Sequence, residues 1–191
     1  MIYKNIEEIP KDKYVNYYID FPWFWPNRKK GTKFGGGTPY PTMKITEIYD
    51  YCEILKPKIP DNSVCFSWIN TNHNNDADLR ARLKTFEVMG FRNTGIAFIW
   101  EKVTKRGTPR KLPGHYQSNS MELAFLGIKG NVRYRQTVSM WEQVYPHILL
   151  KHSEKPSIFR EQIDTIFPTG DRIELFSRHI VDGWDQFGNE V

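Results

Sequence analysis

The sequence predicts an α/β fold, and three observations carry that prediction. Apolar runs of strand length alternate along the chain with segments whose apolar residues recur at helical spacing. The 191 residues are enough to bury a sizeable core, and 39% of them are hydrophobic against 26% charged. No internal repeat or linker interrupts the pattern, so residues 1–191 are read as a single domain. Strands alternating with helices call for an α/β sheet with crossover connections.

Tyr14–Ile19 (YVNYYI) is the first strand and ends at Asp20. Residues 24–41 follow, with Gly35, Gly36 and Gly37 and four prolines from Pro22 to Pro41. They are expected to form a long mobile loop of the kind that serves as a lid or binding loop. Thr42 is placed to cap a helix with Ile45, Ile48, Tyr49, Cys52 and Leu55 on one face, stopped near Pro57. Ser63–Ile69 (SVCFSWI) reads as a buried strand. Asn75 or Asp76 then caps a second helix carrying Leu79, Leu83 and Phe86, with Gly90 as its stop. Gly95–Trp100 (GIAFIW) is a strand leading into a basic loop over residues 102–118. Met121–Ile128 (MELAFLGI) is another, although Gly127 weakens a strand interior. Pro156 suits the first turn of a third helix bearing Phe159, Ile163 and Ile166, closed by Pro168 and Gly170. Arg172–Phe176 (RIELF) is the last clear strand.

The formal net charge is +5. Basic residues gather at Arg28, Lys29, Lys30 and Lys33, from Lys102 to Lys111, and from Lys129 to Arg135, each time in a Gly- or Pro-rich stretch. Three such clusters in loops, in a chain with 15% aromatics, fit a polyanionic partner. Cys52 and Cys65 fall in apolar segments and read as buried thiols; the five histidines show no ligand spacing, so no metal centre is expected. No apolar stretch is long enough to span a bilayer, and the first residues show no cleavable signal pattern, so a cytoplasmic protein is expected.

Asp20-Phe21-Pro22-Trp23, at the carboxyl end of the first strand, is the most informative motif. An exocyclic amine on a nucleobase is a poor nucleophile because its lone pair is delocalised into the ring. A carboxylate and a rigidly held backbone carbonyl can accept its two N–H hydrogens and draw the nitrogen toward a tetrahedral shape. An aromatic ring beside them gives the base a face to stack on. As a tetrapeptide alone, the motif is also ordinary turn chemistry after a strand.

Five further blocks follow in order: Tyr40 to Met43 (YPTM), Asn119 to Glu122 (NSME), Ser153 to Pro156 (SEKP), Glu174 to Arg178 (ELFSR), and Gly188-Asn189. The six blocks, spread over residues 14–191, closely resemble the phage-type N6-adenine DNA methyltransferases, relatives of the catalytic subunit of the eukaryotic messenger-RNA adenosine methyltransferase. The resemblance implies a Rossmann-like, S-adenosylmethionine-dependent methyltransferase fold in permuted order, with the catalytic half first. It also implies methyl transfer from S-adenosylmethionine to the N6 amino group of adenine. No glycine cradle follows the Arg172–Phe176 strand, where Ser177-Arg178 stands; this fits the family, in which an Arg and an Asn hold the cofactor. The chain departs from the pattern at Phe21, where the family usually has its first proline, and at Gln117, where it often has Arg.

Carried over residue by residue, the resemblance makes Asp20, Phe21, Pro22 and Trp23 the catalytic segment. Asp20 accepts a hydrogen bond from the amine and stabilises charge developing on nitrogen, Phe21 supplies the carbonyl, and Pro22 fixes the loop. Asp20, Lys155, Glu174, Phe176, Arg178, Asn189 and Glu190 are the implied cofactor contacts. Trp23, Asn119, Glu122 and Lys155 are the implied contacts to the base, with Trp23 stacking on it. The amine is shielded within duplex DNA, so the base must be flipped out or already unpaired, with the loops at 24–41 and 102–118 expected to cover it. DNA is the expected substrate. The same reaction on RNA, or a catalytically silent nucleic-acid-binding subunit, are the alternatives. With little room for a separate target-recognition domain, a homodimer or a partner subunit is a further expectation.

Overall fold

The computed structural model describes residues 1–24, 41–70, 76–111, 118–132, 141–148 and 154–188. Its framework is one eight-stranded sheet built from β1 (Ile2–Tyr3), β2 (Tyr14–Ile19), β3 (Ser63–Asn70), β4 (Arg92–Val103), β5 (Met121–Lys129), β6 (Val144–Ile148), β7 (Asp171–Leu175) and β8 (Asp185–Phe187). The strands lie in the order β1-β8-β7-β2-β3-β5-β4-β6. Every neighbouring pair is parallel except the two that involve β5, which runs against both β3 and β4. Tyr14–Ile19 therefore sits in the middle of the sheet. A strand buried on both faces should read as a continuous apolar run rather than an alternation, and YVNYYI does.

Period-two alternation sends successive side chains of β2 to opposite faces. Tyr17 and Ile19 join a core cluster with Ile48, Cys52 and Leu55 of α1 (Ile45–Leu55) and with Phe86 of α2 (Asp76–Val88). Tyr18, between them, joins a second cluster with Phe66, Trp68, Phe98 and Trp100 under Phe159 and Ile163 of α3 (Ile158–Ile166). Two helices thus cover one face and the third covers the other.

Several local expectations shift. The first helix begins after Lys44 rather than Thr42, because the Glu47 carboxylate accepts the Lys44 backbone N–H at 2.6 Å and satisfies a first-turn donor. β4 runs three residues beyond Trp100, so Lys102 belongs to a strand and not to a basic loop. Gly127 has a packing reason: a Cβ there would lie 2.4 Å from the Phe86 ring, so the missing side chain is what lets α2 lie down on β5. Strands β1, β6 and β8 were not anticipated. The loop expected at 24–41 lies almost entirely outside the described residues, as do residues 112–117 of the second loop, the Arg28–Lys33 cluster and part of the third basic cluster.

Candidate active site

In open α/β sheets ligands bind beyond the carboxyl ends of the parallel strands. Asp20 stands at that end of the central strand, with its N–H reaching the Leu175 carbonyl of β7 at 3.4 Å. The chain then turns sharply. Trp23 N–H donates to the Phe21 carbonyl at 2.9 Å, closing a three-residue turn around Pro22, whose fixed φ suits that geometry. Met43 N–H donates to the Pro22 carbonyl at 2.7 Å and Phe24 N–H to the Met43 carbonyl at 2.9 Å, so the end of the YPTM block braces the tetrapeptide. Phe21, the departure from the family pattern, is 2% exposed, with its ring 5.2 Å from Trp23 and 5.3 Å from Phe176. A core-anchored ring thus restores rigidity that a proline would have supplied from the backbone.

The charges at this end form an alternating chain. Lys155 Nζ lies 2.6 Å from Asp20 Oδ2 and 3.2 Å from Glu122 Oε2, while Lys102 Nζ lies 2.6 Å from Glu122 Oε1. Arg178 Nη2 approaches Asp20 Oδ2 at 3.6 Å. Glu122 reaches the site because β5 is antiparallel: its first residues lie where β3 and β4 end, and Glu122 pairs with Asn70 and Trp100. Lys155 comes from the opposite direction, immediately before the proline that opens the approach to α3.

Burial would raise the Glu122 pKa, but the charges of Lys155 and Lys102 outweigh it and hold the carboxyl below its usual value. Burial would lower that of Lys155, and the carboxylates of Asp20 and Glu122 more than reverse this, so its ammonium stays charged. Among the described residues both cations on Asp20 address the same oxygen, which leaves Oδ1 to accept from a ligand.

Beside this chain lies a small recess lined by Asp20, Glu154, Lys155, Arg160, Glu174, Phe176, Arg178 and His179. Phe176 borders it with a φ of +61°, a left-handed conformation that is strained for a bulky residue and is found mostly where structure serves a site. Its ring packs on Phe21, Tyr51 and Phe187. Glu174 gives both oxygens to the buried Arg160 fork, at 2.7 and 2.8 Å, and Arg160 also lies over the Tyr18 ring at 5.0 Å. Its role in this structure is to hold α3 against β7.

Six of the anticipated residues therefore converge: Asp20, Phe21, Glu122, Lys155, Phe176 and Arg178. Trp23 is close by but 8% exposed, packed between Phe21 and Arg82. Asn119 is half-buried two residues before β5, while Asn189 and Glu190 lie outside the described residues. Lys102, Arg160 and Arg82 were missed. Lys102 had a legible signal, since Phe98, Trp100 and Lys102 share one face at a spacing of two.

The model of the family described as MT-A70 matches residues 17–190, nearly the whole chain. The chain belongs to the MT-A70 family. It is also similar to the Type II methyltransferase M.MunI of Mycoplasma sp, 26% identical over 201 residues that cover 96% of this chain and 80% of that protein. The MT-A70 match covers the tetrapeptide, Glu122, Lys155 and Arg178 in one span. It makes this chain a methyltransferase, and the mixed α/β architecture with its mostly parallel sheet fits a Rossmann-like fold.

Proposed function

We propose that this MT-A70 methyltransferase moves a methyl group from S-adenosylmethionine to the N6 amino group of adenine in DNA. The observation that carries the reading is the pairing of acceptors at the end of β2: a carboxylate with one oxygen free of described partners, beside a carbonyl fixed by a proline turn. Two acceptors at one point are what a planar amine with two hydrogens needs. The likeness to a Type II methyltransferase supports DNA over RNA. The order of elements supports a permuted arrangement, since the strand bearing the tetrapeptide comes early while β7 and β8, its neighbours toward one edge, come last.

The donor set of the recess fits S-adenosylmethionine. Lys155 and Arg178 offer cations to an α-carboxylate, Asp20 and Glu154 offer carboxylates to positive groups, and Phe176 offers an apolar wall. When bound, S-adenosylmethionine supplies a methyl group made electrophilic by the sulfonium that carries it. Asp20 Oδ1 and the Phe21 carbonyl accept the two amine hydrogens and orient the nitrogen lone pair. As positive charge grows on that nitrogen, the Asp20 carboxylate stabilises it at close range in a site of low dielectric. Once methylated the nitrogen is strongly acidic, so a weak base suffices to take its proton. Lys155 holds Asp20 in place throughout, itself held from the far side by Glu122. Trp23 offers its indole to the base, and Asn189 and Glu190 complete the cofactor contacts.

Incubation with methyl-labelled S-adenosylmethionine and matched DNA and RNA strands, followed by digestion and mass spectrometry, tests the reading. N6-methyldeoxyadenosine from the DNA is the expected product. Label confined to RNA or to cytosine would redirect the substrate assignment. No label, together with no thermal stabilisation by the donor, would leave a silent binding subunit.

A further inference from the structure

One inward-facing residue of α2 is charged. Arg82 is 3% exposed, more deeply buried than the neighbouring Leu79 and Leu83. Its guanidinium carbon lies 4.7 Å from the centre of the Trp23 ring. From one turn earlier, Asp78 meets it through Nε at 3.3 Å and Nη2 at 3.2 Å. Burying a guanidinium is costly, and a leucine would fill the same space without that cost. What the position gains is a flat cation laid against an indole.

The indole is the ring assigned above to the target base, and at 8% exposure it has almost no open surface for one. A base that stacks there must displace something. Phe21, against the indole at 5.2 Å, is locked in the core by Phe176. Arg82 has a long flexible stem and a carboxylate partner whose side chain is 28% exposed. Guanidinium and nucleobase are also alike in shape and in what they ask of an aromatic face, so one can replace the other without a large change in energy.

We propose that Arg82 stands on the face of Trp23 that an unpaired purine takes, and swings toward Asp78 and solvent as the base stacks in its stead. The inference rests on Trp23 being the base platform. It makes Arg82 a competitor of the substrate, so its removal should improve capture of the base, whereas loss of a purely structural arginine would impair it.

Single-stranded DNA carrying one 2-aminopurine reports the exchange, because stacking on an indole quenches its fluorescence. Affinity is measured relative to the same strand with an abasic site at that position, which cancels the change in phosphate attraction. Arg82→Gln is expected to favour the 2-aminopurine strand by a further factor of about two to five, the worth of the lost cation–π contact. Arg82→Lys, which keeps the charge but not the plane, should fall between it and the native chain, and serves if Arg82→Gln melts below the native temperature. Trp23→Leu should abolish the quenching in either background. Should neither Arg82 variant gain while Trp23→Leu still abolishes quenching, the placeholder is overturned and the platform stands. Quenching that survives Trp23→Leu would overturn the platform and the placeholder together.

Discussion

At Glu122 two lysines converge on one buried carboxylate, and one of them had looked like part of a solvated basic loop. Lys102 and Lys155 together outweigh the burial that would otherwise push the Glu122 pKa up, and keep it below 4.5. A carboxyl with a lowered folded pKa contributes stability that is complete above its unfolded value, near 4.5, and is lost as the pH falls through the folded value. Lys102→Met should raise the folded pKa, move that loss toward neutral pH, and cost stability near the low end of about 3–5 kcal/mol, since Lys155 still pairs. Melting temperature recorded from pH 4 to pH 8 checks this; a curve parallel to that of the native protein would show Lys102 to be bystander charge. The site was thus only partly legible residue by residue. Asp20, Lys155 and Arg178 could be read because fixed spacings carry them. Arg160 and Arg82 could not, because a charged residue on a helix is ordinarily solvated, and only tertiary contacts to Glu174, Tyr18 and Trp23 turn them inward.

Elements with strong local signals were the readable ones. β2 and β3 are runs of consecutive buried residues, and α1 keeps its apolar face in register for three turns. β1 and β8 have two and three residues, and β6 carries a proline and alternates half-buried with exposed positions at the sheet edge. Such segments become strands only because a neighbouring strand is there to pair with. The end of β8 shows the same dependence at Gly188. A Cβ there would lie 2.2 Å from the Ser177 carbonyl oxygen, and backbone cannot yield as a side-chain tip can. Ser177 N–H also donates to the Phe187 carbonyl at 3.0 Å, which ties β8 to the turn carrying Arg178. Gly188→Ala should therefore cost about 1–3 kcal/mol and lower the melting point by roughly 2–10 °C. Donor binding should weaken as Arg178 shifts. Thermal melting with and without S-adenosylmethionine reads both effects, and an unchanged melting point would show that the two backbones have room to part.

For the molecule as a whole, fold class was legible and strand order was not. Alternating strand and helix patterns point to an α/β sheet. Nothing local says that β5 should insert antiparallel between β3 and β4, or that β1 should return to lie beside β8. Those pairings join segments far apart in sequence, and their reward is burial that only the finished sheet provides. The finished sheet is also what assembles the chemistry, because Asp20, Glu122, Lys155 and Arg178 come from four separate stretches of chain and meet at one end of it. The central claim is that the Asp20 carboxylate stabilises the charge that grows on the amine during transfer. Single-turnover transfer of labelled methyl to adenine in DNA by Asp20→Ala, at saturating donor and with donor-dependent thermal stabilisation intact, tests it most directly. The rate is expected to fall by at least about 10²–10³. Transfer at the native rate would contradict the account.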